Sequence, residues 1–140
     1  SYNQNVSHFS LWCMMNAPLI LGNDLRNMSD QVKSIVTNRN MIAINQDPLA
    51  KQAKRVRKGA VDVLAKPLAD GSVAVCFFNK TSHAKSCKFD LNSLANDEYL
   101  AMQKKSEYSL KEQWSGQIAT TDGKVNAVLE KHQTKVFIVK

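Results

Sequence analysis

Two short stretches gather side chains of the kinds that do chemistry. In Met41-Ile42-Ala43-Ile44-Asn45-Gln46-Asp47-Pro48-Leu49, four apolar residues run directly into Asn45, Gln46 and Asp47, and Pro48 then forbids further helix or ladder bonding. Earlier, Leu19-Ile20-Leu21-Gly22 runs into Asn23, Asp24 and Arg26. A pair of carboxyl groups can act as acid and base in a hydrolysis. Asp24 and Asp47 would converge if the two apolar segments were adjacent strands. Against that pairing, an aspartate before a proline commonly caps a turn, and polar groups at loop ends satisfy backbone bonds first. Asn23, Asp24, Arg26, Asn45, Gln46 and Asp47 are thus expected to satisfy backbone bonds before they do chemistry, with no catalytic residue assigned among them. Asp97 and Glu98 are sequence neighbours that point different ways, and Asp62, Asp70, Asp90 and Asp122 fall at strand or turn positions.

Metal chemistry finds no support. Cys13, Cys76 and Cys87 have no CxxC spacing, and His8, His83 and His132 are scattered. Cys76 and Cys87 lie on neighbouring predicted strands, where a bridge is conceivable, but buried free thiols are the preferred reading.

The elements that must position these residues change character near residue 50. Val6, Phe9, Leu11, Trp12, Cys13 and Met15 fit a helix buried around most of its circumference, ended by Pro18. Leu19–Gly22 reads as a strand buried on both faces. Ser29 is a good N-cap for a second helix over Gln31–Val36, with Asp30 in its first turn. Met41–Ile44 reads as another all-apolar strand, so that strand, helix and strand make a parallel crossover. Beyond residue 60 the period becomes two. "VDVLAK", "SVAVCFFN", "AKSCKFD", "EYLAMQK", "YSLKEQW", "GQIAT", "KVNAVLE" and "TKVFIVK" read as seven or eight short strands, with turns at Asp70-Gly71 and Asp122-Gly123 and one helical turn at Leu91–Leu94. The expected organisation is α/β plus all-β: residues 1–50 as barrel-type βα units, 51–59 as a basic linker, and 60–140 as an antiparallel β-sandwich. The second part can build its own core. The first cannot, because parallel strands buried on both faces need helices on each side and neighbours on each edge. It is expected to be part of something larger.

The formal charge is +7, from 19 Lys and Arg against 12 Asp and Glu. Part of the excess is "KQAKRVRK", Lys51–Lys58, which reads as a solvated face. No aromatic residue is interleaved with it as a stacking platform, so a nucleic-acid partner is not expected. No stretch approaches the roughly 20 apolar residues of a membrane span, and no membrane partner is expected. Sequons begin at Asn5, Asn27 and Asn79 without fixing a compartment.

"HFSLWCMMNAPLILGNDLRNMS", "IAINQDPL" and "LAKPLADGSVAV", in that order, resemble the C-terminal portion of the α-galactosidases of glycoside hydrolase family 27, which include α-N-acetylgalactosaminidases. The resemblance covers essentially the whole chain. It implies the last two βα units of a (β/α)8 barrel followed by a C-terminal antiparallel β-sandwich, with Leu19–Gly22 as barrel strand seven and Met41–Ile44 as strand eight. Barrel sites lie at the carboxyl ends of the strands. Asn23, Asp24, Arg26, Asn45, Gln46 and Asp47 would then hold the wall of a sugar pocket. The implied chemistry is retaining hydrolysis of terminal α-linked galactose, with both catalytic aspartates upstream of Ser1, no cofactor, and no activity in this chain alone. The implied partners are an α-galactoside and the remainder of the barrel, and exposed barrel strands would favour self-association as a homo-oligomer or contact with another chain. The family commonly has glycine where Ala50 follows Leu49, which puts the path of that loop in doubt. The competing reading is a carbohydrate-binding or structural sandwich that uses Tyr99, Tyr108 or Trp114 as stacking surfaces.

Overall fold

A computed structural model describes residues 1–18 and 28–140. Three helices, α1 (Tyr2–Met14), α2 (Asp30–Val36) and α3 (Arg39–Asn45), precede eight strands. These are β1 (Lys54–Arg57), β2 (Val61–Pro67), β3 (Val73–Asn79), β4 (Lys85–Asp90), β5 (Tyr108–Glu112), β6 (Ile118–Thr121), β7 (Lys124–Leu129) and β8 (Thr134–Val139). A 3-10 turn, Leu91–Leu94, follows β4 as expected. Six strands form an antiparallel sheet in the order β1-β2-β3-β8-β5-β6, and β4 pairs with β7 in a second sheet.

The six-stranded sheet is the middle of three layers, and its strand sequences say why. In β3, Val73, Val75 and Phe77 point to one face, where they join Phe89, Ala127 and Leu129 of the second sheet. Ala74 and Cys76 point to the other face, where they meet Phe9, Cys13 and Met14 of α1 and Met41 and Ile44 of α3. A central strand covered on both sides has no solvent face to mark with polar residues. "VAVCFFN" is accordingly apolar almost throughout. Phe77 stands edge-on to Phe89 and Phe137, at centroid distances of 6.0 and 5.8 Å.

α1 begins with a capping box in which the Ser1 hydroxyl accepts from the Gln4 N–H while Gln4 reaches back to Ser1. Its inner face carries Val6, Phe9 and Cys13, with the small Ser7 and Ser10 between them. Ser7 donates to the His132 carbonyl at 2.6 Å, and Trp114 Nε1 donates to Ser10 Oγ at 2.8 Å. α2 starts at the predicted cap, where Ser29 Oγ accepts from Val32 N–H.

Three expectations are corrected. Met41–Ile44 is not a strand but the middle of α3. A short apolar run cannot be told from a buried helix by periodicity alone. A two-sided strand needs a neighbour on each edge, whereas a helix closes its own backbone bonds. Asn38 supplies the cap at 3.0 Å to Met41 N–H, and Met41, Ile44 and Asn45 form the buried face. The predicted barrel strand at Leu19–Gly22 lies outside the described residues.

The basic run 51–59 is not a plain linker, because Lys54–Arg57 is the edge strand β1, paired with β2. Its charges are engaged: Lys54 with Asp97, Arg55 with Asp62 at 3.7 Å, and Arg57 over the Phe89 ring at 4.8 Å. Burial pushes the Asp62 carboxyl up, but the Gly59 N–H, Lys80 and Arg55 outweigh it and hold that group below the usual carboxylate range. A lysine- and arginine-rich edge also discourages pairing with another sheet.

Finally, "EYLAMQK" is a turn. The Asp97 carboxylate accepts from Leu100 N–H at 3.1 Å, Ala101 takes the left-handed conformation at φ 50°, and Leu100 and Met102 drop into the core.

Ala50 also sits in the left-handed region, at φ 55°, with its N–H on the Asp47 carbonyl at 3.0 Å. This backbone form costs glycine nothing and alanine about 1 kcal/mol. Ala50→Gly is therefore expected to stabilise the chain by roughly 0.5–1 kcal/mol, read as a thermal midpoint about 2 °C higher. A lower midpoint would show that the greater freedom of the unfolded glycine outweighs the relieved strain.

Candidate functional site

The polar corner that closes α3 is built from its own sequence. Asn45 is buried, and its Nδ2 donates to the Ala17 carbonyl at 2.8 Å, which ties the end of α3 to the end of α1. Asn45 Oδ1 accepts from Gln46 Nε2 at 2.6 Å. Asp47 Oδ2 accepts from Leu49 N–H at 3.1 Å, an Asx turn over the proline, and from Ala69 N–H at 2.9 Å in the β2–β3 turn. The structure therefore brings Asn45, Gln46 and Asp47 together: Asn45 and Asp47 fix the backbone, and Gln46 bonds the Asn45 side chain. Asn23, Asp24 and Arg26 lie outside the described residues.

Beside this corner runs a groove of about 230 Å³, lined by Asn40, Asp47, Asp70, Ser72, Gln113 and Lys140 among others. Asp70 Oδ1 accepts from the Ser72 hydroxyl and from Ser72 N–H, and these two bonds hold its carboxyl below the usual range despite partial burial. Asp97 is likewise held low, first by Lys54. A glycosidase general acid needs a carboxyl pushed up so that it keeps its proton. Asp62, Asp70 and Asp97 are all moved the other way. Among the described residues no group of three or more His, Cys, Asp or Glu could hold a metal ion.

The three cysteines are free and buried. Cys76 points from the central sheet toward the helices, whereas Cys87 lies on β4 of the second sheet and is buried in the core between the two sheets, so the two are on opposite sides of the central sheet. Burial pushes the Cys13 thiol up to about 12 against the pull of Lys66, and burial together with Glu112 raises Cys76 as well. Neither is a ready nucleophile.

The three aromatics proposed as stacking surfaces do not offer free faces. Tyr108 is buried, with its hydroxyl donating to Asn92 Oδ1 at 2.8 Å. Trp114 fills the seam between β5 and α1. Tyr99 donates to the Gln52 carbonyl at 2.6 Å, with the Lys51 and Lys54 ammonium groups over its ring.

Comparison with known proteins identifies the family. Residues 1–47 match the family model described as alpha galactosidase A, and residues 58–139 match the one described as the alpha galactosidase C-terminal beta sandwich domain. The chain belongs to the α-galactosidase family, glycoside hydrolase family 27. It is 37% identical over 136 residues to alpha-galactosidase A of Cellvibrio japonicus, covering 94% of this chain and 34% of that protein. With the alpha-galactosidase of Cyamopsis tetragonoloba it shares 30% over 135 residues, covering 95% and 31%. The crystal structure of alpha-galactosidase I from Mortierella vinacea superposes with a TM-score of 0.89 at 20% identity, over 99% of this chain and 36% of that one, a likeness of fold. The chain thus spans about a third of the curated relatives it matches, and it corresponds to the C-terminal part of a family 27 α-galactosidase.

Sequence reasoning found the Asn45–Asp47 corner but missed Lys66. Its Nζ donates to Asn16 Oδ1 at 2.6 Å and to the Lys51 carbonyl at 2.9 Å, and it is fully buried. The available signal was a lone lysine in the interior of the apolar strand "VDVLAKP".

Proposed function

We propose that this chain is the closing part of a retaining glycosidase that releases terminal α-linked galactose or N-acetylgalactosamine. In this reading residues 1–50 complete a (β/α)8 barrel whose remaining segments come from upstream sequence. Both catalytic aspartates belong to that upstream part. One would attack the anomeric carbon, and the other would protonate the leaving oxygen and then activate water, with the carboxyl groups about 5–5.5 Å apart. Asn23, Asp24 and Arg26 would support the pocket wall, the α-galactoside being the ligand and a second copy a further partner. Asn45, Gln46 and Asp47 end the helix α3 and not a strand, and so would join the barrel part to the β2–β3 turn of the sandwich. The observation that carries this reading is the matching of two family models in order along one chain. The downward shift of Asp62, Asp70 and Asp97 supports placing the acid elsewhere.

The test is release of a chromophore from an aryl α-galactoside, with the matching N-acetylgalactosaminide alongside. The 140-residue chain is expected to give no turnover, and a polypeptide extended by the upstream barrel is expected to be active. Turnover by the 140 residues alone would overturn the assignment of the acid and nucleophile. A folded but inactive extended protein would overturn the hydrolase reading.

A further inference from the structure

A strand at the edge of a sheet leaves the N–H and C=O of every second residue without a partner, and folded proteins guard such edges with charge or a bulge. The six-stranded sheet has two edges, β1 and β6, and they differ. β1 carries Lys54, Arg55 and Arg57, and its register against β2 shifts between Arg55 and Arg57. β6 has neither device. From Ser115 to Thr121 the sequence Ser-Gly-Gln-Ile-Ala-Thr-Thr holds no charge and no proline. Its pairing with β5 runs unbroken from Lys111–Ile118 to Tyr108–Thr121. Ile118 is 72% exposed, the most exposed large apolar side chain among the described residues.

The ladder fixes which backbone groups of β6 point outward. The Glu112 N–H donates to the Gln117 carbonyl at 2.9 Å, so bonded pairs recur at Leu110–Ala119 and Tyr108–Thr121. Ser109, between them, turns away from β6 and exchanges both its bonds with Lys140, just past β8, at 2.9 and 3.0 Å. Ile118 and Thr120 share that phase, and their N–H and C=O groups leave the sheet on its open side. Two outward residues with one between them make a self-complementary edge. With Ala119 on a two-fold axis and the strands antiparallel, Ile118 of one copy lies opposite Thr120 of the other, and each such pair exchanges two bonds. Ala119 then meets its own copy in the close, non-bonded position, where a methyl group is all that has to fit. The β1 edges cannot meet in this way, because Lys54, Arg55 and Arg57 would be set against like charges.

We propose that β6 is an interface between two copies of this chain, joined edge to edge about Ala119 into one continuous sheet. It is the surface for the second copy named in the reading above, and it does not depend on hydrolase activity. A four-residue edge buries less than the roughly 1,200 Å² of a stable interface, so the dimer is weak, with a dissociation constant on the order of 10–100 μM.

Sedimentation equilibrium of the 140-residue chain, over concentrations bracketing that range, reads the association. Thr120→Pro removes an outward N–H and puts a ring where the other copy must come, while the bonded pairs with β5 stay intact. It is expected to weaken association about ten-fold or more. Val128→Lys, on the exposed outer face of β7, is expected to associate as the wild type does. Cysteines read the register. Ala119→Cys brings two Cα atoms to about 4.5 Å, within disulfide range, and is expected to cross-link under mild oxidation. Thr120→Cys, opposite Ile118, is expected not to, and the three native cysteines are buried.

A chain that stays monomeric throughout, or a dimer that Thr120→Pro leaves unchanged, would overturn the proposal. Growth into open-ended species would assign the edge to β1 of the next copy and overturn it too. If Thr120→Pro fails to fold, the cysteine variants decide alone, and no cross-link through Ala119→Cys means no β6 dimer.

Discussion

Asn79→Asp is expected to cost about 3 kcal/mol, a fall of roughly 10 °C in thermal midpoint for a domain of this size. Asn79 is fully buried, and every hydrogen-bonding position of its carboxamide is taken. Nδ2 donates to the His83 and Glu130 carbonyls, both at 2.8 Å, while Oδ1 accepts from Thr81 N–H at 3.0 Å and from Thr81 Oγ1 at 2.8 Å. One side chain thereby closes the β3–β4 connection and joins it to the loop after β7. An aspartate keeps the acceptors but loses both donors, and it sets a carboxylate against two carbonyl oxygens in a dry site. Thermal unfolding followed by circular dichroism checks this, with Asn126→Asp as the exposed control, expected to change the midpoint by a degree or two. Equal shifts in the two variants would mean that the Asn79 pocket is wet enough to solvate the charge. The same geometry makes the sequon at Asn79 unusable in the folded chain, since a glycan on Nδ2 would have to displace both carbonyls.

How much of this could be read in the sequence depends on where each residue's partners lie. β4, β5 and β7 announce themselves because alternation is local and the strands are short, and β3 does so as a short apolar run bounded by turns. The Ser29 cap and the 3-10 turn after Asp90 are local too, each set by a side chain bonding two or three residues on. The run Met41–Ile44 failed because apolar residues in series do not distinguish a two-sided strand from a buried helix. Asn38 decides the matter, because its side chain caps the helix at Met41 N–H. β1 failed because its charges hid an alternation, with only Val56 packing inward. "EYLAMQK" failed because Asp97 captures the backbone before a ladder can form. For the candidate site, Asn45, Gln46 and Asp47 stood out as a polar cluster at the end of an apolar run. What each one holds could not be foreseen. Asn45 bonds 28 residues back, and Lys66 reaches Asn16 across 50 residues. Separations of that size follow from the topology and leave no mark on local pattern.

Glu112→Gln is the second large effect, expected to cost about 2–4 kcal/mol through loss of charge-assisted bonds and one misdirected amide. Glu112 closes β5, and its carboxylate is buried against three backbone N–H groups. Oε1 accepts from Trp114 at 3.0 Å and Ser115 at 2.8 Å, and Oε2 accepts from Val136 at 3.0 Å. The ladder between β5 and β8 ends at the Glu112–Phe137 pair, so the side chain takes over where the next rung would have been. A glutamine offers one oxygen for these three donors, and its NH2 must face either Val136 N–H or the Trp114–Ser115 turn. That turn carries Trp114, whose indole holds Ser10 of α1, so the loss should spread across the seam into the helical layer. Urea unfolding of Glu112→Gln beside the exposed Glu107→Gln measures the cost, and amide exchange along α1 measures the spread. A midpoint no lower than that of Glu107→Gln would mean that water replaces the carboxylate. A lower midpoint with α1 protection intact would mean that the helices hold to the sheet without Trp114, and that the apolar contacts of Phe9, Cys13 and Met14 suffice.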